Sequence, residues 1–546
     1  MASTLSRRSV LAGAASTAIL LSGPAGAQTG RRAGEPIGPI KAMMGDWPEM
    51  TELFRILRPN WEKLGLKVMP QQASQNSMTA QTTGEHNAPD MSIGAWGGAP
   101  DRIDPDFFLT EFFHSSRARK GGQNFGNYRN PAYDALVDAQ RGEMDEARRA
   151  TLIHQAQRII QNDKPGLVLY YMDLNNPYRS DKITDVVPVM GSGVAFSYLP
   201  WTYLEGKPAG RSKILKVTFQ YDIATLNPFA TTEVQNAGIL RWFYAPLAIR
   251  DRNLNLIPWA AEGWTFPDPT TADVTLRAGM TFHDGKPVTI EDFKFTFDYI
   301  AKWKFPLFGR FTDNIAGTEV VGERTLRFKL KQPFAPFVGN ILAAAFIVPK
   351  HIWEKVGPDQ GLRSPADWPN DAPIGCGPFS MKEWRKGEYV RLAANPSWFK
   401  PSNFSEIYWL AVPSVDTMIG MLESGRADVM AWNVTPSQAK RLNNPNIKVG
   451  KSGSHAPREL RFNLEIPPFD DLAMRTAIAL ATDRPQLVNT LLDGAATPGN
   501  DSYISPALAI SDPAIPPARF SIEEAREVLA KAGYSWDGDG RLCYPK

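Results

Sequence analysis

Nucleophilic chemistry is the first possibility to consider, and the chain offers two cysteines for it, Cys376 and Cys543. Cys376 lies in the turn sequence Gly375–Phe379, where a small buried side chain is expected rather than an activated thiolate. The sequence has no Gly-x-Ser-x-Gly elbow at a strand-to-helix turn, no phosphate-binding loop and no dinucleotide fingerprint. We therefore predict that the protein is not an enzyme, with a secreted hydrolase as the remote alternative. Two cysteines in this length are not a disulfide framework, and whether they pair is left open.

Metal binding is the second possibility, and the spacing of the histidines argues against a resident ion. No two of them stand in a metal-ligand pattern such as His-x-x-x-His. His283 belongs to the turn sequence Phe282–Gly285, which suits a structural role. We predict no metal and no other cofactor, but a nickel chelate held by a single histidine stays an alternative. The histidines are His86, His114, His154, His283, His351 and His455.

Composition and charge narrow the class of protein further. The 546 residues carry 60 basic and 57 acidic side chains, a net charge of +3, so no binding to nucleic acid is predicted. A hydrophobic content of 43% and a charged content of 21% are typical of a globular protein, and the length requires several domains. Aromatic residues reach 11%, which suits buried cores and also a cleft that stacks on varied ligands.

Residues 1–27 have the pattern of a cleaved export signal. Twin arginines stand at 7–8, the stretch 10–21 is apolar, and 25–27 is a small-residue cleavage site. Val10 stands where an aromatic residue usually follows the twin arginines, so ordinary Sec export is the alternative to twin-arginine export. The apolar stretch is too short for a membrane span, and no cysteine follows the cleavage site. A soluble periplasmic protein is predicted.

Hydrophobic periodicity alternates between helix and strand along the chain, which predicts an α/β fold. Apolar residues recur at helical spacing in 131–141 and 145–162, and a buried strand is predicted at 166–172. Farther along, Asp284-Gly285 signals a tight turn between two strands, and Thr289 is placed to cap a helix.

The two ends of the chain look incomplete when each is considered alone. A capping box at 521–524 starts a helix, and a turn at 537–540 leads into a last strand that has no successor. The strand–helix–strand pattern that begins near residue 37 would supply a natural continuation. Residues 204–212 have the composition of a linker. We therefore expect residue 546 to lie beside residue 37, with both ends of the chain in one lobe.

The motifs of the chain resemble the family 5 extracellular solute-binding proteins, which are the oligopeptide, dipeptide and nickel-chelate receptors of ABC importers. Motifs that open such proteins lie in 213–546 here, and motifs that close them lie in 37–207. The resemblance covers nearly all of the mature chain, in a circularly permuted order. The opening motifs are Leu226–Pro228, Ala245–Leu247, Pro258–Trp264, Leu276–Gly285, Val348–Lys350, Gly375–Phe379, Ala394–Trp398, Glu423–Asp428, Phe462–Asn463 and Met474–Arg484. The closing motifs are Trp96, Asp101–Pro105, Asn127–Leu136, Arg148–Arg149 and Ile160–Pro165.

The resemblance implies a two-lobed α/β periplasmic binding protein of type II, in the large three-domain form with mixed sheets and a hinge. The hinge strands would lie near 165–176 and 462–468. The implied segments are the export signal 1–27, a leader 28–36, the second lobe 37–165 and 467–546, the first-lobe sheet domain 166–247 and 369–466 with the linker 204–212, and a small strand-rich domain 248–368.

The resemblance also singles out Asp101 as the carboxylate that would take a ligand ammonium group. In peptide-binding relatives an aspartate stands four residues before a proline, and Asp101 has that spacing to Pro105. The chain departs from the pattern in that Gly97–Pro100 separates Trp96 from Asp101, whereas relatives place the tryptophan closer. The alternative is that Asp101 caps a loop. The predicted ligand-binding residues are Asp101, Trp96, Gly97, Trp242, Tyr244 and Trp47.

The function that the resemblance implies is the capture of peptides or peptide-like solutes by lobe closure, followed by delivery to the membrane permease of an ABC importer. An opine, an oligosaccharide or a nickel chelate on the same scaffold is the alternative. The partners expected are therefore a small solute and the permease, and the protein itself is expected to be a monomer.

Overall fold

The structure, a computed structural model, describes residues 33–196, 198–230, 234–305, 308, 312–357 and 360–546. The predicted export signal at 1–27 and most of the predicted leader lie outside these residues. Within the described ranges, no helix is both long enough and apolar enough to cross a membrane. Two lobes, each with its own sheet, make up the described chain.

The second lobe is built around a six-stranded sheet that draws its strands from both ends of the chain. The three strands nearest the N-terminus are parallel, and the strand Pro457–Phe462 is antiparallel to the neighbour on each side. In spatial order the strands are Val68–Ala73, Ile40–Gly45, Met91–Ala95, Pro457–Phe462, Gly166–Met172 and Ala496–Pro498. The helices are Pro48–Glu62, Gln75–Thr79, Asp106–Phe113, Pro131–Gly142, Glu146–Asp163, Leu472–Leu480, Arg484–Leu492 and Ile522–Lys531.

Apolar periodicity explains how the helices cover this sheet. Leu53, Leu57 and Trp61 are fully buried, because their spacing brings them to one side of the helix Pro48–Glu62. The strand Gly166–Met172 is an almost continuous apolar run, and it is buried on both faces of the sheet, as predicted.

Side-chain caps begin the two helices that were predicted between residues 131 and 162, and both helices are confirmed. The side chain of Asn130 accepts hydrogen bonds from backbone N–H groups at the start of Pro131–Gly142. The side chain of Asp145 does the same for Glu146–Asp163.

The two ends of the described chain meet in the second lobe. The backbone N–H of Ile37 donates to the carbonyl oxygen of Leu542 at 2.8 Å. Pro36 and Cys543 form an antiparallel bridge between the same two segments. The expectation that both ends lie together and complete one lobe is confirmed, whereas the permuted order of the chain stays a prediction.

The first lobe contains a seven-stranded mixed sheet. The strand Glu406–Ala411 runs parallel to Ile214–Phe219, and the strands at both edges pair antiparallel with their neighbours. In spatial order the strands are Phe379–Arg385, Tyr389–Ala394, Glu406–Ala411, Ile214–Phe219, Val429–Met430, Leu174–Arg179 and Ile447–Ser452. The helices are Trp201–Glu205, Val234–Phe243, Val415–Glu423 and Pro436–Lys440.

The predicted linker at 204–212 is partly regular structure. It contains the end of the helix Trp201–Glu205 and the short strand Lys207–Pro208. That strand pairs antiparallel with Ile183–Thr184. The segment between the two predicted halves of the chain is therefore packed as part of the first lobe.

A four-stranded antiparallel sheet lies within the predicted small domain, 248–368. Its strands, in spatial order, are Ala261–Asp268, Thr271–Leu276, Thr325–Leu330 and Ile315–Val320. Beside it are the paired strands Ala248–Arg250 and Leu256–Pro258, the helices Ile290–Trp303 and Lys350–Trp353, and the π-helical turn Val338–Leu342.

Local sequence sets the ends of the small-domain elements. Helix Ile290–Trp303 begins at Thr289, and the side chains of Thr289 and Asp292 form a reciprocal capping box, so the predicted cap is confirmed. The turn at Asp284-Gly285 also forms, with the glycine at a φ of +87°. An isolated bridge stands beside that turn where a second strand was predicted.

The described chain crosses between the lobes at 172–174 and at 452–457. The first crossing lies inside the predicted hinge range 165–176. The second crossing precedes the predicted range 462–468, because the strand Pro457–Phe462 already belongs to the second-lobe sheet. The hinge prediction is therefore correct for one crossing and wrong for the other.

The expected first-lobe segments 166–247 and 369–466 each include a strand that belongs to the second lobe, so their boundaries are also wrong. Gly166–Met172 and Pro457–Phe462 pair with each other in the second-lobe sheet. An apolar strand can be recognised from its pattern, but the pattern does not identify the neighbouring strand. The first lobe is thus one continuous piece of chain, and the second lobe is built from both ends.

Candidate ligand-binding site

The two lobes approach each other closely at a pair of glycines. A Cβ atom at Gly98, in the second lobe, would lie 2.3 Å from the carbonyl oxygen of Gly191, in the first lobe. Any side chain at Gly98 would therefore push the lobes apart. The backbone N–H of Gly191 donates to the carbonyl oxygen of Gly453, in the second crossing, at 2.9 Å. The side chains around this contact form what we call the interlobe junction: Trp96, Asp101, Arg102, Phe196, Tyr198, Tyr221, Arg241, Arg250, Trp432 and His455.

Trp96 forms part of the second-lobe wall of the interlobe junction. Its Nε1 donates to Oε1 of the buried Glu459 at 2.7 Å, and its ring lies 4.8 Å from the ring of Phe112. The guanidinium carbon of Arg102 lies 5.0 Å from the centroid of the indole, at cation–π distance. Because these contacts hold the ring on several sides, Trp96 provides a rigid wall.

Asp101 and Asp104 lie on one short segment but have different surroundings. Asp104 forms an ion pair with Arg149, with 2.6 Å between Oδ1 and Nη2. Burial disfavours the charge on Asp104, but Arg149 outweighs the effect of burial and holds the pKa of that carboxyl below its usual value. Asp104 is therefore engaged in holding the second lobe together.

Asp101 lies in the 3-10 turn Pro100–Arg102 and is half-buried. Its charge acts on the side chains of Tyr198, Arg241 and His455, which come from the first lobe and the second crossing. Asp101 thus belongs to the interlobe junction.

Aromatic side chains form the first-lobe wall of the interlobe junction. The ring of Trp432 lies 5.2 Å from Tyr221 and 5.6 Å from Phe196, and Phe196 stacks on Tyr198 at 5.9 Å. Tyr221 is 44% exposed, although most aromatic rings of this lobe are buried. Burial raises the pKa of the Tyr198 hydroxyl to about 12, so it stays protonated at physiological pH.

The position of Tyr221 and Trp432 follows from the sheet topology. Tyr221 comes soon after the strand Ile214–Phe219, and Trp432 comes soon after Val429–Met430. These two strands are parallel neighbours, so both residues stand at the carboxyl ends of adjacent strands. Ligands of open α/β sheets bind outside that edge.

His455 lies in the second crossing and is fully buried. A Cβ atom at Gly191 would lie 2.4 Å from Cε1 of its ring, so the ring is packed against the backbone of the first lobe. Burial, together with the charges of Arg250 and Arg102, lowers the pKa of His455 to about 4, although Asp101 opposes the shift. The imidazole is therefore neutral near pH 7.

Arg241 and Arg250 bring positive charge to the interlobe junction from the first lobe. Nη1 of Arg241 donates to the carbonyl oxygen of Ala343 at 2.5 Å, and Nη1 of Arg250 donates to the carbonyl oxygen of Leu254 at 2.7 Å. Burial lowers the pKa of Arg241 to about 10, and the charge of Asp101 opposes that shift. Both side chains remain cations near pH 7.

A second contact between the lobes lies at Arg141. Its carbonyl oxygen accepts a hydrogen bond from the backbone N–H of Ala335 at 2.7 Å. Its guanidinium carbon lies 5.3 Å from the centroid of Phe334. Arg141 is in the second lobe and the other two residues are in the first, so the described conformation is closed at this point as well.

The structure brings Trp96, Gly97 and Asp101 together at the interlobe junction, but it does not bring Trp242 and Tyr244 there. Both of these rings are fully buried in the first-lobe core. Trp242 packs against Tyr203 at 4.5 Å, and the hydroxyl of Tyr244 accepts a hydrogen bond from Asn370. The expectation that Trp242 and Tyr244 line the cleft is corrected, because Trp242, near the end of the helix Val234–Phe243, and Tyr244, just beyond it, both pack into the first-lobe core.

Trp47 lies just beyond the end of the strand Ile40–Gly45, and its role in ligand binding stays a prediction. It is half-buried at the start of the helix Pro48–Glu62 and packs against the second-lobe core. Its ring lies over Gly45, where a Cβ atom would come within 1.8 Å of it. Trp47 is therefore a packing residue at the end of its strand in the described structure.

Sequence reasoning missed several residues of the interlobe junction. Phe196, Tyr198, Tyr221, Arg250 and Trp432 lie in loops or at strand ends, where no periodicity marks a ligand-facing position. The one available signal was the placement of Tyr221 and Trp432 just beyond two apolar strands. That signal becomes useful once the strands are known to be parallel neighbours.

Thiol and metal chemistry receive no support from the described residues. Cys376 and Cys543 are buried and do not pair, and burial raises the pKa of the Cys376 thiol to about 12. Among these residues, no cluster of three or more metal-ligating side chains occurs. The interlobe junction itself offers charged, hydrogen-bonding and aromatic side chains.

Comparison with known proteins agrees with this architecture. The sequence model of the bacterial extracellular solute-binding proteins, family 5, matches residues 255–544, which is more than half of the chain. The chain therefore belongs to that family of solute-binding proteins, and its fold is that of the two-lobed type II binding proteins.

Two curated relatives carry the description glutathione-binding protein GsiB. The one from Salmonella choleraesuis is 30% identical over 339 residues, which cover 60% of this chain and 63% of the relative. The one from Escherichia coli is 30% identical over 345 residues, which cover 61% of this chain and 64% of the relative. The chain thus spans less than two thirds of the length of these relatives.

A solved structure shows the same fold. It is NikZ from Campylobacter jejuni in complex with Ni(L-His), with a TM-score of 0.50 and 22% sequence identity. The similar part covers 61% of this chain and 66% of NikZ. At this level of identity the likeness concerns the fold alone.

Proposed function

We propose that the protein captures peptides or peptide-like solutes between its lobes and delivers them to the membrane permease of an ABC importer. The observation that supports this most is the interlobe junction, where one lobe presents Asp101 and the other presents arginines and aromatic rings, with Tyr221 exposed. Enclosure between the lobes would strip water from a ligand and strengthen its charged hydrogen bonds. Nothing in this role requires catalysis.

The peptide-like class is supported by the chemistry of the interlobe junction and by the relatives. Asp101 is a half-buried carboxylate that could receive an ammonium group, and Tyr221 and Trp432 could stack on planar or apolar groups. The GsiB relatives are described as binding glutathione, itself a peptide. The expected site residues Asp101, Trp96 and Gly97 belong to this proposal.

The circular permutation is also part of the proposal, and two observations support it. The two ends of the described chain meet in one lobe. The alignment with a GsiB relative covers 60% of this chain, which is about the share that residues 213–546 make up. An alignment keeps the order of the residues, so it is expected to follow only one of the two permuted segments. Twin-arginine export into the periplasm by residues 1–27 completes the proposal, with Sec export as the alternative.

Ligand binding would be tested by screening a tripeptide library and glutathione against the purified protein. We expect a bound peptide to raise the melting temperature, since a ligand that binds only the folded state stabilises it. Quenching of tryptophan fluorescence is expected too, because Trp96 and Trp432 lie at the interlobe junction. A full screen without either response would reject capture by closure. Native mass spectrometry would show whether the protein releases a bound peptide without having modified it chemically.

The role of Asp101 would be tested with a pair of ligands that differ at the amine. We expect Asp101→Ala to weaken the binding of a peptide with a free ammonium about 10- to 100-fold, the range for a lost charged hydrogen bond. Its effect on the N-acetyl form of the same peptide should be below about threefold. Equal losses for both forms would remove the ammonium role from Asp101, and Asp222→Ala, at an exposed first-lobe position, serves as the control.

A further inference from the structure

We propose that the first lobe carries a second binding site, away from the interlobe junction, which takes a small carboxylate against the guanidinium of Arg277. The site is a pocket between the small domain and the first-lobe sheet domain, and we call it the side pocket. Residues 277–281 line it from the small domain. Cys376, Asn395 and residues 397–399 line it from the sheet domain.

The side pocket and the interlobe junction lie at opposite edges of the first-lobe sheet. Residues 395–399 follow the strand Tyr389–Ala394, whose end pairs with the beginning of the antiparallel strand Glu406–Ala411. That strand runs parallel to Ile214–Phe219, and Tyr221 of the interlobe junction comes after the carboxyl end of Ile214–Phe219. Strands of six residues, at about 3.3 Å per residue, separate the two edges by about 20 Å. The side pocket is therefore a site of its own.

The volume of the side pocket limits the size of its ligand. The cavity measures about 30 Å³, whereas one water molecule needs roughly 10–15 Å³ of such space. A group of two or three heavy atoms therefore fits, which is the size of a carboxylate, and a peptide does not fit. Phe399 is 43% exposed at the side pocket, so the cavity opens to the protein surface.

Arg277 brings a fixed positive charge to the side pocket. Its Nε and Nη2 donate to the carbonyl oxygens of Trp259 and Ala261 at 2.9 and 3.4 Å. The guanidinium carbon lies 3.9 Å from the centroid of the Phe399 ring. Backbone carbonyls and an aromatic face hold the plane of the guanidinium without neutralising its charge. A planar guanidinium held in this way is suited to the bidentate recognition of a carboxylate.

The charge of Arg277 is not balanced by an ion pair within the described part of the chain. No carboxylate of the described residues lies at ion-pair distance from it. Glu262 is close enough for Arg277 to help lower the pKa of its carboxyl, but the larger cause is Arg324, which pairs with Glu262 at 2.6 Å. The guanidinium of Arg277 thus keeps its capacity to bind an anion that enters the side pocket.

Trp398 offers a second donor to the same anion. Its side chain lines the side pocket and is only 4% exposed. The indole Nε1 has no hydrogen-bond partner among the described residues. Because a buried N–H without an acceptor is unfavourable, an acceptor in the side pocket would stabilise the protein. A carboxylate has two oxygens, so it could accept from Trp398 and from Arg277 at once.

The other lining groups also favour an anion over a cation. None of the described residues that line the side pocket is acidic, and Ser397 and Thr281 add hydroxyl donors. Burial raises the pKa of the Cys376 thiol to about 12, so that side chain stays neutral. A bound cation would therefore meet Arg277 without a counter-charge. Phosphate, with five heavy atoms, is too large, and chloride lacks the two oxygens that match a guanidinium fork.

The experiment titrates the purified protein with sodium acetate, while sodium chloride keeps the ionic strength constant. Saturation-transfer NMR of the acetate methyl group measures the binding. We expect a saturable signal with a dissociation constant of about 1–10 mM, the affinity that two charged hydrogen bonds provide. A signal that does not saturate below about 100 mM acetate, where the binding free energy would be negligible, would overturn the proposal.

Substitutions then assign the binding to the side pocket. Arg277→Gln should raise the dissociation constant at least about tenfold, and Trp398→Phe, which removes the N–H but keeps a ring, at least about threefold. Arg385→Gln is the matched control, because the guanidinium of Arg385 also lies on an aromatic ring, 5.4 Å from the centroid of Tyr389, but pairs with Glu383 at 2.8 Å. The control should change the dissociation constant by less than about twofold, as expected for an arginine that is already paired. An unchanged dissociation constant in Arg277→Gln would overturn the proposal.

Competition between anions tests the size and shape of the side pocket. Sodium phosphate should displace acetate at least about tenfold less effectively than sodium propionate does, because propionate presents the same head group. Displacement by phosphate as effective as that by propionate would show a general anion site and would reject the carboxylate assignment. Thermal melting of each variant shows that folded proteins are compared. Because no peptide is present, failure of the acetate titration leaves the proposed peptide capture intact, and failure of the peptide screen leaves the acetate result intact.

Discussion

Three second-lobe arginines beside the interlobe junction and two arginines of its first-lobe side are stabilised in different ways. On the second-lobe side, Arg149, Arg458 and Arg461 form ion pairs with carboxylates at 2.6, 2.8 and 3.1 Å. On the first-lobe side, Arg241 and Arg250 donate to backbone carbonyls. Despite burial, carboxylate partners raise the pKa of Arg149 and Arg458, whereas burial lowers the pKa of Arg241 and Arg250.

This difference suggests different roles for the arginines of the two lobes. An ion pair that is already complete contributes to the stability of the lobe that contains it, and breaking it leaves a buried charge. A guanidinium that rests on a carbonyl keeps most of its charge available to a partner that arrives later. The three second-lobe arginines are therefore already paired with carboxylates, whereas Arg241 and Arg250 rest on backbone carbonyls and keep their charge.

The largest expected effect comes from breaking one of the complete pairs. Glu459→Leu should lower the free energy of unfolding by about 3–5 kcal/mol, because it leaves Arg461 as a buried cation without its carboxylate. It also removes the acceptor for the indole of Trp96. Urea denaturation monitored by circular dichroism measures the change, and a loss below about 1 kcal/mol would contradict the contrast between the lobes. Glu52→Leu, at an exposed pair with Arg55, is the control.

A smaller effect on the free energy of unfolding is expected when acidification protonates His455 and so adds a cation to the interlobe junction. His455 has its pKa lowered from 6.5 to about 4 by burial, with Arg250 and Arg102 adding to the shift and Asp101 opposing it. Because the unfolded chain binds the proton more readily, this stability is complete above pH 6.5 and is lost as the pH falls toward 4.

The size of that acid effect is about 3 kcal/mol, since each unit of pKa shift corresponds to about 1.4 kcal/mol. Urea denaturation at a series of pH values between 7 and 4 measures it. His455→Leu should flatten this part of the profile, because it removes the group whose protonation opposes folding. A profile that His455→Leu leaves unchanged would show that other groups cause the loss.

The smallest effect is expected at Arg241, which donates to a carbonyl and has no ion pair with another described residue. Arg241→Met should change the free energy of unfolding by less than about 1 kcal/mol, because it removes one hydrogen bond to a carbonyl and also relieves a buried charge. The same urea experiment compares it with Glu459→Leu. A loss for Arg241→Met as large as that for Glu459→Leu would mean that both arginines are structural, and the contrast between the lobes would fail.

Much of the fold could be predicted from the sequence, because short stretches of residues determine where many helices and strands begin and end. Caps such as Thr289 and Asp145, and the apolar run 166–172, specify elements whatever their neighbours are. The assignment of 457–462 to a lobe failed, since the pairing of a strand depends on residues far away in the chain. The meeting of the two ends was predictable because each end lacked a partner that the other could supply.

The candidate site was less predictable than the fold. Asp101 and Trp96 belong to a motif that the sequence revealed. Arg241 and Trp242 are neighbours in the sequence, but Arg241 lies at the interlobe junction and Trp242 lies in the core. Their helix turns successive residues to different sides, and its orientation was unknown without the structure. Aromatic residue type alone therefore could not separate packing from ligand contact.

The joining of Pro36–Ile37 to Leu542–Cys543 has a consequence for biosynthesis. The first lobe can fold as soon as its continuous stretch has left the ribosome, whereas the strands made first must wait for the residues made last. Those early strands would remain exposed until the strands 457–462 and 496–498 have been made, a state that favours protection by chaperones. Protein chains truncated near the C-terminus should contain a folded first lobe and an incomplete second lobe, and they should be degraded quickly.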